Sequence, residues 1–357
     1  MSGQHHSNAT RRHAGLLLAG ATLLAACSGA AVAQQKTLYV GMNGGDMERA
    51  FTQHVFPDFE KANDVKVVVV PGTSADILAK AQAYKEKPQM HVMFLDDGVM
   101  VRAASMGLCQ KMAPSPVLDQ LYPTSRLKDD MAVGIDMGMT GIGYNTKMFE
   151  EKGWAPPTSW MDFADPKYKG KVVFQSAASS TFGLHGFLMF NRIEGGDDKN
   201  TDPGFKKWQD TIGKNVLEYI SNSAKVAEMV QTNEAAIFPL TPTAIGRLQK
   251  RGIPVAYAQP KEGSVILMVA ECVIANNTEP DLSQKLAHYL LSPEAQAKAL
   301  EYGNHFPSNT KVTASDTMKP YLDQFQGYMK TAKVLDWDVI NSTRQALNTR
   351  WNRTVEQ

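Results

Sequence analysis

The stretch that decides the fold is residues 141–183, which read GIGYNTKMFEEKGWAPPTSWMDFADPKYKGKVVFQSAASSTFG. It opens as extended chain over Gly141–Asn145, where glycines at alternate positions let another backbone pass close by. A short helix is predicted over Thr146–Glu151, and a buried strand over Lys171–Phe174. An apolar helix, Phe182–Ile193, is predicted directly after that strand. Because the strand passes straight into a helix, the stretch predicts an α/β unit.

Hydroxyl side chains occupy the junction between that strand and helix, namely Ser179, Ser180 and Thr181. The first N–H groups of a helix have no partner within the helix, and the helix dipole adds positive charge there. Such a junction is typical of a site for an anionic group. The same residue types are also preferred helix N-caps, so a purely structural role stays open.

The chain before this stretch alternates strands with helices. The predicted elements, in order, are Thr37–Gly41, Met47–Ala62, Val65–Val70, Ala75–Lys85, His91–Leu95 and Val99–Gly107. The continuous β-branched run of the second strand is typical of a strand that is covered on both faces. This alternation predicts a doubly wound parallel sheet with helices on both faces.

Polar residues follow each of these three strands. They are Asn43 and Asp46, Thr73 and Ser74, and Asp96 and Asp97. Ligand-facing loops gather at the carboxyl ends of the strands in such a sheet, so these residues are expected to line one rim of a cleft. The carboxylates suit an ammonium group. Each cluster could instead serve only to cap the helix that follows it.

Later segments are predicted to cross between two lobes. They include the extended run 131–139, the long strand Val265–Ala275, and residues 304–307. The predicted lobes are therefore discontinuous and consist of residues 34–138 with 271–312, and of residues 139–270 with 313–357. Candidate ligand-binding residues on or beside the crossings are Thr140, Leu267 and Phe306, and Thr241 follows the predicted strand Ala235–Leu240.

The first 33 residues have the pattern of a secretion signal. Arg11 and Arg12 precede the apolar stretch Leu16–Ala26, and residues 31–33 (AVA) fit a cleavage site for small residues. The sequence therefore predicts a secreted protein. The run that ends in Cys27 also fits a lipoprotein signal, which would leave that cysteine lipidated, and the two arginines fit a twin-arginine signal. No later segment has the pattern of a transmembrane helix.

Composition excludes several classes of partner and cofactor. The 37 basic residues nearly balance the 36 acidic ones, which disfavours a nucleic-acid partner. Cys109 and Cys272 could pair in an oxidising compartment or be two buried thiols. The histidines and cysteines after the leader lack metal-ligand spacing, so we predict no metal site and no cofactor.

One short motif permits an enzymatic alternative. Residues 308–311 match the SxxK pattern of serine acyl-enzymes, with Ser308 and Lys311 as the reactive pair. The accompanying SDN and KTG motifs do not occur in the sequence, nor do GxSxG, HExxH or a P-loop. We therefore predict no catalytic residues, and a secreted serine hydrolase is the alternative function.

The run IGYNTKMFEEKGWAPPTSWMDFADPKYKGKV (142–172), with LSPEAQ (291–296) further on, resembles the bacterial extracellular solute-binding proteins. More narrowly, it resembles the spermidine/putrescine-binding branch. The resemblance implies a type II periplasmic binding protein fold, in which two α/β lobes close over a central cleft. It also implies export to the periplasm and a monomer that delivers a small charged organic ligand to an ABC permease. A sensor that reports its ligand to a receptor would have the same sequence pattern.

The resemblance makes specific expectations of the site. Polyamine binders of this branch surround their ligand with aromatic residues and acids, and those positions are occupied here by Asn43, Asp46, Thr241, Leu267 and Val269. The acids expected after KVVF fall within residues 178–181. The family thus implies a polyamine-like ligand, whereas the hydroxyl groups and carboxylates of this chain indicate an anionic or zwitterionic one.

Overall fold

The computed structural model describes residues 35–221 and 223–356. The predicted leader, with its cleavage site and Cys27, lies outside the described residues. Within the described part of the chain, no helix is both long enough and apolar enough to cross a membrane.

Ten strands and thirteen α-helices form the described chain, together with short 3₁₀ turns. The strands are β1 (Lys36–Met42), β2 (Val65–Pro71), β3 (Val92–Asp96), β4 (Cys109–Gln110), β5 (Val133–Asn145), β6 (Val172–Gln175), β7 (Val216–Ile220), β8 (Ile237–Leu240), β9 (Val255–Ala258) and β10 (Val265–Ile274). The helices are α1 (Asp46–Ala50), α2 (Phe56–Asn63), α3 (Ser74–Ala83), α4 (Asp97–Ser105), α5 (Thr146–Lys152), α6 (Thr181–Ile193), α7 (Asp202–Trp208), α8 (Ala224–Gln231), α9 (Pro242–Lys250), α10 (Pro280–Leu290), α11 (Pro293–Gly303), α12 (Lys319–Met329) and α13 (Trp337–Thr354).

The strands pair in the order β2-β1-β3-β10-β5-β8-β6-β7. Strands β1, β2 and β3 are parallel, as the alternation of strands and helices predicted. Strand β10 differs, because it returns from the far half of the chain and lies antiparallel between β3 and β5. The predicted α/β class is confirmed, but the sheet is mixed and not purely parallel.

The apolar cores divide at the two crossing strands. Strands β1–β4 pack with α10–α12 in cores that include Phe94 and Phe325. Strands β6–β9 pack with α13 in cores that include Trp208 and Trp351. We call the first body lobe I and the second lobe II. In the division that we propose, β5 and β10 pass between the lobes near residues 140 and 265, and α12 belongs to lobe I.

The first predicted helix, Met47–Ala62, is interrupted in the structure. A π-helical turn, Phe51–Val55, separates α1 from α2, and Pro57 lies in the first turn of α2. Proline has no N–H and cannot continue the i→i−4 hydrogen-bond pattern, which accounts for a break at this position. The C-terminal part of the predicted helix therefore restarts after the turn.

Cys109 and Cys272 form a disulfide that joins β4 to β10, with Cα atoms 5.7 Å apart. Both residues are buried in the lobe I core. The pairing resolves the two alternatives that the sequence left open. It also cross-links the short strand β4 to β10, a strand that passes between the lobes.

Candidate functional site

A cavity of about 320 Å³ lies on one face of the crossing strands. Its residues come from both lobes and from the crossings, and they include Asn43, Asp46, Asp136, Gly138, Phe182, Thr241, Thr243, Arg247, Leu267, Val269 and His305. We call it the cleft. Side chains alternate between the two faces of a strand, so Leu267 and Val269 face the cleft from β10. Asp136 and Gly138 are their direct partners on β5.

The lobe I wall of the cleft carries a hydrogen-bonded histidine–aspartate pair. The His305 Nδ1 atom lies 2.7 Å from the Asp136 Oδ2 atom, and both side chains are largely buried. Gly303 makes room for the imidazole, because a Cβ there would lie 2.3 Å from the ring. The Asp136 carboxylate is therefore held at the cleft wall by a histidine that is itself fixed in position.

Asp96 lies in the same row of the sheet as Asp136, since both residues pair with Val269 of β10. Directly opposed residues of antiparallel strands project to the same face. Burial raises the pKa of Asp96 to about 6; the Ser74 hydroxyl opposes this shift and the Asp136 charge adds to it. This wall can thus place two carboxylates near one ligand group.

At the mouth of the cleft, the two lobes approach each other. The Asp46 Oδ2 atom of lobe I lies 4.0 Å from the Arg247 Nε atom of α9. The Lys250 Nζ atom of α9 also donates to the Asn304 Oδ1 atom, at 3.2 Å. Because these contacts join the lobes, the structure represents an arrangement in which the mouth is bridged.

The lobe II wall carries hydroxyl groups and one guanidinium group. The Thr241 hydroxyl caps α9 by accepting from the Ala244 N–H at 3.1 Å. Thr243 and Arg247 of the same helix also line the cleft. This wall is therefore uncharged or positive, in contrast to the acidic wall opposite.

The start of α6 borders the cleft through Phe182. Ser180, the residue before α6, does not cap the helix with its side chain, because its hydroxyl donates to the Gln175 Oε1 atom at 2.7 Å. Nearby, the Arg344 Nη2 atom donates to the Ala177 carbonyl at 2.9 Å. The Arg344 Nη1 atom is buried and has no hydrogen-bond partner among the described residues. The N–H groups that begin α6 and this guanidinium both favour negative charge.

The sequence-predicted site residues fall into two groups. Asn43, Asp46, Thr241 and Leu267 line the cleft, and Asp96 shares its sheet face. The others make contacts elsewhere, or lie beside the cleft without lining it: Thr73, Ser74, Asp97, Thr140, Ser179, Ser180, Thr181 and Phe306.

Several members of that second group have clear structural roles. Thr73 forms a capping box with Asp76 at the start of α3. The Ser74 hydroxyl accepts from the Asp96 N–H at 3.1 Å. The exposed Ser179 hydroxyl donates to the Ser221 carbonyl at 3.5 Å. Of these three residues, Thr73 matches the capping alternative that the sequence left open, whereas Ser74 and Ser179 make other hydrogen bonds.

Three further residues do not line the cleft cavity. The Phe306 ring stacks on Phe325 in the lobe I core, with centroids 4.4 Å apart. Thr140 is buried, and its hydroxyl lies 2.9 Å from the His185 Nδ1 atom. Asp97 lines a different cavity, beside Met268. We therefore leave these three out of the cleft site that we propose.

Sequence reasoning did not select Asp136, Phe182, Arg247 or His305. Asp136 has one available signal, because it is the single charged residue in the otherwise uncharged run 133–145. A lone acid in a buried strand is costly unless it is partnered, which marks it for attention. His305 precedes the selected Phe306, and adjacent residues of extended chain project to opposite sides.

The residues of the alternative enzyme do not form a reactive pair. Ser308 is fully buried, and its hydroxyl accepts from the Gln296 Nε2 atom at 2.9 Å. Lys311 is exposed at the surface. This geometry gives a substrate no access to the Ser308 hydroxyl. Across residues 35–221 and 223–356, no group of three or more His, Cys, Asp or Glu side chains is placed to hold a metal ion.

Comparison with known proteins gives a family match over most of the chain. The model of the family described as bacterial extracellular solute-binding protein matches residues 55–324. A spermidine/putrescine-binding periplasmic protein of Escherichia coli is 24% identical over 303 residues, covering 80% of this chain and 81% of its own. A candidate 2-aminoethylphosphonate-binding periplasmic protein of Salmonella paratyphi A is 23% identical over 332 residues, covering 88% and 90%.

Solved structures show the same fold. The crystal structure of an ABC transporter protein from Clostridium perfringens superimposes with a TM-score of 0.77 at 22% identity. The match covers 89% of this chain and 99% of that one. The two-lobed α/β architecture inferred from the sequence is therefore shared with a protein of known structure.

Proposed function

Since the chain belongs to the bacterial extracellular solute-binding proteins, we propose that its cleft captures a small zwitterion, with an ammonium group toward lobe I and an acidic group toward lobe II. The chain acts as the solute-binding component of an ABC importer, a role in which a ligand-closed form is presented to a membrane permease. It works in the periplasm and carries out no reaction on the ligand.

One observation carries this proposal: the two walls of the cleft differ in charge. Lobe I contributes Asp136 and, in the same row of the sheet, Asp96, which suit an ammonium group. Asp46, at the mouth, is already paired with Arg49 and lies near Arg247. Lobe II contributes Arg247, two threonines and the uncapped start of α6, which suit a carboxylate or phosphonate. A ligand with both charges satisfies both walls when it bridges them.

The size and composition of the cleft disfavour a polyamine. The volume, about 320 Å³, is near the lower end of the range for small-molecule sites. A diamine needs a carboxylate at each end, whereas the acids that line this cavity, Asp46 and Asp136, both belong to lobe I. The relatives named for 2-aminoethylphosphonate and for spermidine/putrescine represent a zwitterionic and a polycationic ligand class, respectively.

A thermal-shift screen of the purified protein tests the proposal. The panel contains amino acids, 2-aminoethylphosphonate, putrescine, spermidine, and carboxylates without an amine. A specific ligand at a hundredfold excess over its dissociation constant adds about 2.7 kcal/mol to the free energy of unfolding. We expect the strongest shifts from zwitterions. Strong stabilisation by spermidine with none from any zwitterion would contradict the proposal.

A further inference from the structure

We propose that a second cavity, on the face of β10 opposite the cleft, binds a small organic cation with an apolar body. We further infer that its occupancy is coupled to closure of the cleft; only this coupling rests on the proposed function. The rear cavity, as we call it, measures about 570 Å³. It is lined by Asp97, Met131, Ile266, Met268, Leu335 and Trp337, among others.

The alternation of β10 separates the two cavities. Leu267 and Val269 line the cleft, whereas Ile266 and Met268 line the rear cavity. Successive side chains of a strand project to opposite faces. One crossing strand therefore forms a wall of both cavities, and a ligand in either one contacts the same backbone.

The apolar lining of the rear cavity suits a compact hydrophobic body. Met131 and Met268 supply flexible thioethers, which adapt to irregular ligands. Trp337 supplies an indole, and this ring packs so closely on α4 that a Cβ at Gly98 would lie 2.6 Å from it. An ammonium group placed against an indole gains a cation–π interaction.

The charges around the rear cavity favour a cation. Four acids line it, namely Asp97, Asp129, Asp336 and Asp338, against Arg126 and Lys128. Arg126 is already neutralised, because its Nε and Nη2 atoms each donate to the Asp130 carboxylate at 2.8 Å. Asp97 is only 5% exposed and accepts from the Gly98 N–H at 2.9 Å. Burial and the Asp96 charge raise the pKa of Asp97 to about 8, so the exposed Asp129, Asp336 and Asp338 supply the negative charge at neutral pH. Asp97 adds a buried acceptor oxygen, and an ammonium group can be held between such an oxygen, the acids and an indole.

The rear cavity is bounded by both lobes. Helix α4 and residues 124–131 belong to lobe I, whereas residues 334–338 lead into α13, which packs in the lobe II core. Hinge rotation that widens the cleft on one face of β10 brings the lobes together on the other face. A ligand in the rear cavity therefore resists opening, and it favours the arrangement in which the mouth contacts form.

The probe for the rear cavity is 2-phenylethylamine, which is cationic at neutral pH. Its matched control is 3-phenylpropionate, which has a similar shape and the opposite charge. Binding is followed by calorimetry and by the fluorescence of Trp337, with Trp337→Phe identifying that signal. We expect the amine to bind at least about tenfold more tightly than the acid, which corresponds to ~1.4 kcal/mol.

Two variants locate the amine. Met268→Trp fills the rear cavity and should abolish binding, while the paired exposed changes Asp336→Asn and Asp338→Asn, which leave the core intact, should weaken it. Asp136→Asn in the cleft should leave amine binding unchanged. The inference fails if the amine does not bind, if the acid binds equally well, or if only Asp136→Asn removes binding.

The coupling has its own readout. The zwitterion identified in the screen should bind the cleft more tightly when 2-phenylethylamine is present, since linkage between two sites is reciprocal. Unchanged zwitterion affinity at saturating amine would overturn the coupling. If the screen yields no zwitterion but the amine binds as described, the proposed function fails and the rear-cavity site stands. If a zwitterion binds the cleft but the amine does not bind, the rear-cavity site fails and the proposed function stands.

Discussion

At the scale of single residues, the neighbouring carboxylates of Asp96 and Asp136 determine how the cleft responds to pH. Asp96 is buried in the row that Val269 shares with Asp136. Its pKa is raised to about 6 by burial and by the Asp136 charge, against the pull of Ser74. An empty cleft therefore holds a partly protonated Asp96 near pH 6, whereas an ammonium ligand requires the ionised form.

We predict that affinity for the ammonium-bearing ligand falls as the pH drops below about 6. The limiting loss is about tenfold per pH unit, because one proton must then be released on binding. Calorimetric titrations between pH 5 and pH 8 measure this. Asp96→Asn should bind more weakly and show a flatter profile over that range. A wild-type profile with no slope below pH 6 would rule out this role for Asp96.

The same shift has the opposite effect on folding stability. A folded-state pKa above the unfolded value means that the folded protein prefers the protonated carboxyl, so this contribution is full below the unfolded pKa of about 4 and is lost as the pH rises through about 6. Ligand binding and the Asp96 contribution to stability thus change in opposite directions with pH.

The sequence identified Asp96 but not Asp136, and the reason is local. Asp96 ends a predicted strand and precedes a helix, where polar residues are expected to face a ligand. Asp136 lies within a strand, and its role depends on His305, which is 169 residues away in the chain. No local pattern encodes a contact at that separation.

At the scale of elements, the junction of β6 with α6 depends on close packing at Gly183. A Cβ there would lie 2.0 Å from the Gln175 carbonyl oxygen, which is a backbone atom at the end of β6. The helix can approach the strand end only because this residue has no side chain. The approach brings the uncapped start of α6 to the edge of the cleft.

We predict that Gly183→Ala lowers the free energy of unfolding by about 1–3 kcal/mol or more, because overpacking must displace backbone. It should also weaken binding of the acidic part of the ligand by moving the start of α6. Gly327→Ala in α12 is the matched control: its Cβ would meet nothing within 4 Å, and alanine is the better helix former. Urea unfolding of both variants measures the difference, and equal stabilities would contradict the packing argument.

Helices and strands were predicted correctly where the apolar periodicity was strong. They were missed where a segment becomes a strand only by pairing with a distant part of the chain. The α6 helix and strands β2 and β3 lie where their apolar patterns predicted. Strand β7 (Val216–Ile220) was not predicted, because it is a short strand at the end of the sheet and is half exposed. Its order comes from parallel pairing with β6, which the segment alone does not reveal.

At the scale of the whole molecule, the cleft exists because β5 and β10 each pass from one lobe into the other. The sequence predicted these crossings from length and from the resemblance to solute-binding proteins. It placed the second one at residues 270–271, whereas the cores favour residue 265, since Ile266 and Met268 pack with lobe I. Such a boundary depends on which lobe buries each side chain, and that is a property of the assembled structure.

The most direct test of the charge-separated cleft is calorimetric titration with three compounds: 2-aminoethylphosphonate, ethylphosphonate and ethylamine. Each is titrated into the wild type, Asp136→Asn and Arg247→Gln. We predict that the zwitterion binds most tightly and that each variant weakens it by about tenfold or more. Asp136→Asn should leave the residual affinity for ethylphosphonate unchanged, and Arg247→Gln that for ethylamine. If Asp136→Asn weakened the binding of ethylphosphonate and of the zwitterion equally, the Asp136 carboxylate would not be binding the ammonium group. That result would contradict a cleft with separated charges.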